Sequence, residues 1–385
     1  MSAQSAQKII SVVGRNVSAA FCLLELAKSH KGYNLCWHQS KQQLPEEDLW
    51  TSLSESQAKE AEKLGVKVKR DETLVFIDAY QRYPLSHLIQ NKYKWKNQEA
   101  SLLKKFIALA LFNDSSPQIY QKDEQNRIII DPNWIQKSPV SLAAFNEKQS
   151  HYAICSYGEY FDKLESKAAS LNVNFSDLDK RVASLELNEN GKHKLLFNPP
   201  FRPTSTDQLI WSCPIVDDFK IENVHNQDFY FPQPLPQAFW QSESYEVKQQ
   251  FVTALPPFSL WIDQSSAELF FKTGIFSDRS IRKVYCLPIT KEKSILQVDS
   301  WRQQNSDFDF ANKMSEERFD KFLWRICPYL PKLRPKISSH ILNENYVYSN
   351  NYLACKKLYP HLYFNHRSFC QPTKQFASQA LQELH

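Results

Sequence analysis

Residues 9–39 constrain the fold of this chain more than any other stretch. An apolar run (Ile9, Ile10, Val12, Val13) ends on Gly14-Arg15-Asn16-Val17-Ser18-Ala19. A helix-prone segment follows over residues 20–28, and Gly32-Tyr33-Asn34-Leu35-Cys36-Trp37 then has the composition of a second strand. Strand, tight turn, helix and strand within about 30 residues make a parallel βαβ unit whose turn has the layout of a dinucleotide-binding loop. Such loops depend on glycine, which lets backbone approach phosphate closely. Here only the first glycine of the pattern is present. The whole chain of 385 residues holds 6 glycines, where average usage would give about 27.

Other bulk properties narrow the class. With 42% hydrophobic and 13% aromatic residues, the chain has the material for a large globular core, and its length suits two packed domains. A net charge of +5 is too modest and too dispersed to argue for nucleic acid. The eight cysteines, at 22, 36, 155, 213, 286, 327, 355 and 370, form no CxxC pair and read as reduced core residues. Residues 1–8 lack an apolar signal core, and Phe106–Phe112, the longest apolar run, is too short to span a bilayer. A soluble, cytoplasmic protein is expected.

Further along, residues 41–63 are helix-prone, and residues 66–68 and 74–77 have strand composition. Residues 86–112 carry a helical apolar stripe, and 128–130 read as a strand. Tyr157-Gly158 leads into a helix over 159–170, with a strand next at 173–175. Residues 182–187 and 194–197 flank Asn190-Gly191 as a hairpin, and the apolar run from Asp207 ends on Pro214. The segments 258–262, 268–272, 283–287 and 294–298 predict an antiparallel sheet. Ser315 caps a predicted helix that Pro328 stops. A strand at 362–365 and a helix from about residue 373 complete the chain.

Four places give these blocks a family character. Val12–Ala20 stands where a GxGxxG turn would be. Tyr157–Leu164 is similar to a "GG-x-x-x-L" helix start, with residues 182–185 and 207–214 after it. Met314–Leu330 is similar to a substrate-domain helix with a "P-x-L" stop. Leu362–Asn365 precedes the final helix. Together they resemble the FAD-dependent amine oxidase, protoporphyrinogen oxidase and phytoene desaturase superfamily, of which this chain looks like a degenerate member.

The resemblance implies an α/β architecture in two interleaved parts. One is a Rossmann-like FAD/NAD(P)-binding domain from 1–85, 151–215 and 340–385. The other is an inserted substrate-type domain of antiparallel sheet and helices, from 86–150 and 216–339. It also implies where a dinucleotide would lie: against Gly14, Asn16, Ser18, Ala19, Gln39 and Asn365. Each place departs from the family. Asn16 takes the second glycine's position and Ala19 the third, Gln39 replaces the acid that holds ribose, Phe364-Asn365-His366 replaces the family's AG-D/E, and the bulky Arg367–Pro372 stands where a small-residue segment would lie along the flavin.

Three coincident departures lead to the expectation of a flavoprotein-fold protein without its cofactor, a non-catalytic binding or assembly partner. The alternative is an FAD-dependent oxidoreductase of divergent site, acting on a lipophilic or amine substrate. No catalytic residue is identified. Cys355, His361, His366 and Cys370 match no common zinc spacing, so no metal is expected. The expected partner is a protein, not nucleic acid. Lys92–Lys96 mixes bases with aromatics, and with Lys104–Phe112 it offers a peripheral membrane contact.

Overall fold

A computed structural model describes residues 8–29, 32–39, 49–53, 55–77, 81–84, 120–122, 128–130, 151–171, 173–176, 180–188, 192–212, 220–222, 235–263, 281–303, 317, 319–327, 336–347 and 362–364. The chain divides into two compact units. The first comprises Met1–Pro45, Gly158–Leu235 and Tyr348–His385, and the second Glu46–Tyr157 and Pro236–Val347.

The first unit is built on a parallel sheet. Its strands are β1 (Ile9–Val13), β2 (Asn34–His38), β3 (Asn174–Phe175), β7 (Gln208–Trp211) and β9 (Leu362–Phe364). They lie in the order β3-β2-β1-β7-β9, every adjacent pair parallel. This is a Rossmann-like order, and the chain is a mixed α/β protein. Helix α1 (Val17–Ser29) crosses from β1 to β2, and α2 (Tyr157–Ala169) precedes β3. Strands β4 (Val182–Glu186), β5 (His193–Phe197) and β6 (Thr204–Thr206) form an antiparallel meander, which β8 (Lys220–Glu222) joins in parallel.

Neighbouring side chains of a strand face opposite ways, and β2 uses this to hold two layers. Trp37 packs edge-on against Phe161 of α2, with ring centroids 5.9 Å apart. His38, on the other face, meets Phe197 of β5 at 5.4 Å. The parallel sheet thus lies between helix and meander.

The second unit carries a seven-stranded, mainly antiparallel sheet. Leu235–Lys248, Lys293–Gln303, Ile281–Pro288 and Phe258–Ile262 form its middle, and Leu74–Ile77 joins in parallel to Phe258–Ile262. One face holds the apolar core of Val284, Cys286, Leu296, Val298, Phe319, Phe322 and Ile326. The opposite face is polar although buried. Ser242 and Lys283 lie across from Asp299, and Ser244 and Tyr285 across from Gln297, on adjacent strands. Gln297 donates to the Asp299 carboxyl at 2.9 Å. It also clamps the backbone of Trp50, accepting from its N–H at 2.8 Å and donating to its carbonyl at 2.9 Å. Trp50–Leu53 belongs to a three-stranded sheet with His151–Ser156 and Lys69–Glu72.

Some local expectations shift. Within the helix-prone residues 41–63, Trp50–Leu53 is a strand and Glu55–Lys63 is helical. Pairing with His151–Ser156 overrides propensity there. Residues 66–68 are not a strand; the strand is Lys69–Glu72, exposed at each of its residues. That charged run suits a sheet edge and carries no apolar alternation to reveal it. The expected helix over 86–112, the strand at 268–272 and the final helix lie outside the described residues.

Candidate functional site

In open parallel sheets, ligands bind beyond the carboxyl ends of the strands, where the strand order reverses. Here that point lies between β1 and β7, and two short segments meet there: Gly14-Arg15-Asn16 after β1 and Ser212 after β7. Gly14 has φ 131°, a conformation open to glycine. Its N–H donates to the His38 carbonyl at 3.0 Å, and the Ser212 N–H donates to the Val13 carbonyl at 2.8 Å.

Asn16 is the N-cap of α1. Its carbonyl accepts the first helical bond from the Ala20 N–H at 3.1 Å, and its Oδ1 accepts from the Ala19 N–H at 2.8 Å. Asparagine suits this position because its side chain replaces a missing helical acceptor. The same carboxamide reaches across the switch point. Its Nδ2 donates to the Ser212 carbonyl, and the Ser212 hydroxyl donates back to Oδ1 at 3.3 Å. Asn16 is only 8% exposed. An anion at a helix start needs free N–H groups and room. At this turn Asn16 takes the Ala19 amide and stands in the crevice, so the residues present do not fit a pyrophosphate there.

The end of β2 is equally engaged. Trp37 is fully buried, and its indole N–H donates to the Gly14 carbonyl at 2.6 Å. Gln39 donates through Nε2 to Glu165 of α2 at 2.8 Å, and its backbone N–H donates to the Ser176 hydroxyl at 3.3 Å. The expected ribose contact is therefore turned onto the chain's own helix. Arg15 lies over the Phe161 ring at 5.6 Å.

On the meander side, burial and the nearby positive charge of Lys180 push the His38 imidazole down to about 4, so it is neutral at ordinary pH. His38 Nε2 lies 3.3 Å from the Ser11 hydroxyl. Burial also pushes the Cys36 thiol up, against the opposing effect of Lys180.

Of the residues named from sequence, the fold brings Gly14, Asn16 and Ala19 to one turn, with Ala19 fully buried, and sets Gln39 at the end of the adjacent strand. The Ser18 side chain and all of Asn365 lie outside the described residues, as do Lys92–Lys96, Lys104–Phe112, Cys355, His361, His366 and Cys370. The sequence reading did not name Trp37, Glu165 and Ser212 as part of this site. No local motif marks them, since their partners are far away in the chain. Among the described residues no group of three or more His, Cys, Asp or Glu could hold a metal ion. No described helix is long and apolar enough to cross a membrane.

Loss of Asn16 is expected to register in stability. Asn16→Ala removes the cap and the tie to Ser212, at a cost of about 2 kcal/mol. Asn16→Asp keeps a good capping oxygen but sets it against the Ser212 carbonyl in place of a donor. It should therefore destabilise by about 1–3 kcal/mol, where an ordinary N-cap would tolerate the change. Urea unfolding of the two variants beside the wild type checks both values.

No protein-family model matches the chain, and no curated protein matches its sequence. Solved structures match by shape. One is a protein provisionally assigned as a protoporphyrinogen oxidase from Exiguobacterium sp. 255-15. It is 11% identical, with a TM-score of 0.53, and 98% of each chain is covered. Another is the peptidyl tryptophan dihydroxylase QhpG, essential for tryptophylquinone cofactor biogenesis, at 10% identity and a TM-score of 0.45. That match covers 98% of this chain and 66% of the other. A third is 2-methyl-3-hydroxypyridine-5-carboxylic acid oxygenase, at 10% identity and a TM-score of 0.41, covering 88% of this chain and 70% of the other. At these identities the likeness concerns the fold alone, and the first of the three is the match that carries it.

Proposed function

We propose that this chain keeps a flavoprotein-type fold without using a flavin, and serves as a non-catalytic binding or assembly protein. The observation that supports this reading most directly is the Asn16 clasp. One carboxamide caps α1, bonds the Ser212 carbonyl and accepts from the Ser212 hydroxyl. These are the groups and the space that the family's dinucleotide would take. The Gln39–Glu165 bond adds to it, because the ribose-facing position is committed within the chain. No step of redox chemistry is assigned to any residue. Fold alone does not dictate chemistry, so a chain of this architecture is free to act through its surface.

The test is direct. Protein purified from cells supplied with riboflavin should show no flavin absorbance. Its melting temperature should not rise on addition of FAD, ADP or NAD. A ligand bound only by the folded state, at a hundredfold its Kd, would add about 2.7 kcal/mol, an effect no thermal scan would miss. Yellow protein with flavin near one per chain would overturn the proposal and make the chain an oxidoreductase of divergent site.

A further inference from the structure

The second unit presents a surface that the cofactor question does not touch. Residues 317 and 319–326 are helical. Phe319, Phe322, Leu323 and Ile326 are buried in the apolar core, with Cys327 just beyond them, so this face of the helix is committed to the core. Its outer face carries Glu317, Lys321, Trp324 and Arg325, all exposed. At 100° per residue these four fall within about 100° of one another around the axis. Trp324 is 60% exposed, an unusual cost for the largest apolar side chain. Among the described residues, neither Lys321 nor Arg325 forms an ion pair.

We propose that this face is a dimer contact, and that its occupant is the same helix of a second copy of the chain. The charge pattern selects that occupant. An anionic bilayer or a purely acidic protein would be attracted by Lys321 and Arg325 but repelled by Glu317. A second copy, antiparallel about a twofold axis through residue 321, sets Glu317 of each chain opposite Arg325 of the other. The two residues are eight apart, so each reciprocal pair lies about 6 Å from the axis. Trp324 then lies beside the second copy's Lys321, where an indole face attracts an ammonium and offsets the meeting of like charges at the axis. An isologous contact of this kind is self-complementary by construction. Tryptophan and arginine are also the residue types that dominate interface energies. One short helix stands at the small end of the interface range, so the dissociation constant should be on the order of 100 µM.

Sedimentation equilibrium of the full chain across a concentration series tests this. The wild type should show a monomer–dimer equilibrium, and Trp324→Ala should weaken it about tenfold or more. Glu317→Arg and Arg325→Glu should each weaken it, and the double swap Glu317→Arg/Arg325→Glu should restore it. Since all these positions are exposed, melting temperatures at low concentration should hold and show that the variants fold. A wild type that stays monomeric at millimolar concentration would overturn the proposal. So would a dimer indifferent to these substitutions, or a double swap no better than its parents. Binding of the monomer to phosphatidylserine vesicles through Trp324 would assign the face to lipid instead. None of these outcomes depends on whether the first unit holds a flavin.

Discussion

Replacing Lys283 with Met should cost about 3–5 kcal/mol of folding stability at about pH 8, and much less at about pH 5. Lys283 is 2% exposed and lies directly across the sheet from Asp299, itself 3% exposed. Burial pushes the Asp299 carboxyl up from 3.8 to about 6, while Lys283, Gln297 and the hydroxyls of Ser242 and Tyr285 act in the opposite direction. Removing the ammonium leaves a buried carboxylate with no counter-charge. At about pH 5 the carboxyl holds its proton, and most of the penalty disappears.

The sign for Asp299 itself follows from linkage. Its folded-state pKa lies above the unfolded value, so the folded chain retains a proton that the unfolded chain has already released. Its stabilising contribution is complete below the unfolded value of 3.8 and is lost as pH rises through about 6. A shift of about two units corresponds to about 3 kcal/mol. Asp299→Asn cannot titrate. Relative to the wild type it should gain about 2 kcal/mol between pH 4 and pH 7, whatever its offset at either end. Comparing the two proteins cancels His38, whose lowered pKa gives a slope of the opposite sign over roughly the same range. Urea midpoints measured at several pH values give the answer. Parallel curves for wild type and Asp299→Asn would show that this carboxyl titrates as an ordinary exposed one.

Trp37→Ala should destabilise the first unit by about 3–5 kcal/mol. The side chain is fully buried and touches both Phe161 and Phe175, with ring centroids 5.9 and 5.4 Å away. It is also the donor to the Gly14 carbonyl. Trp37→Phe separates the two roles. Most of the packing remains, while the carbonyl loses its partner, so a smaller loss of about 1–2 kcal/mol is expected. If Phe proves as costly as Ala, the lost indole bond, and not packing volume, governs the position. If Phe is neutral, the indole bond to the turn contributes nothing. Both variants are to be followed by urea unfolding with near-ultraviolet circular dichroism.

Much of the first unit was legible because its signals are local. Apolar runs, one glycine and a capping residue define β1, the turn and α1 between Ile9 and Ser29. The hairpin of β4 and β5 shows in the Asn190-Gly191 pair between two strand-like runs. The strand at Trp50–Leu53 was hidden, since its composition is helix-prone and its pairing partner begins about 100 residues later. The polar face of the second sheet was equally hidden. Nothing local in the sequence marks Lys283, Gln297 and Asp299 as buried, and it is packing against Trp50 that covers this face.

The amino-acid order alone determined that a strand would turn at Gly14 into a helix, and that residue 16 would offer a carboxamide where a GxGxxG turn has a glycine. It did not determine what that carboxamide does. Its partner, Ser212, lies 196 residues further on, and the partner of Gln39 lies 126 residues further on. Hydrogen bonds of that separation exist only after parallel pairing of β1 with β7 and packing of α2 have brought the ends together. Local chemistry therefore sets the shape of the turn, and tertiary closure decides which groups remain free to meet a ligand.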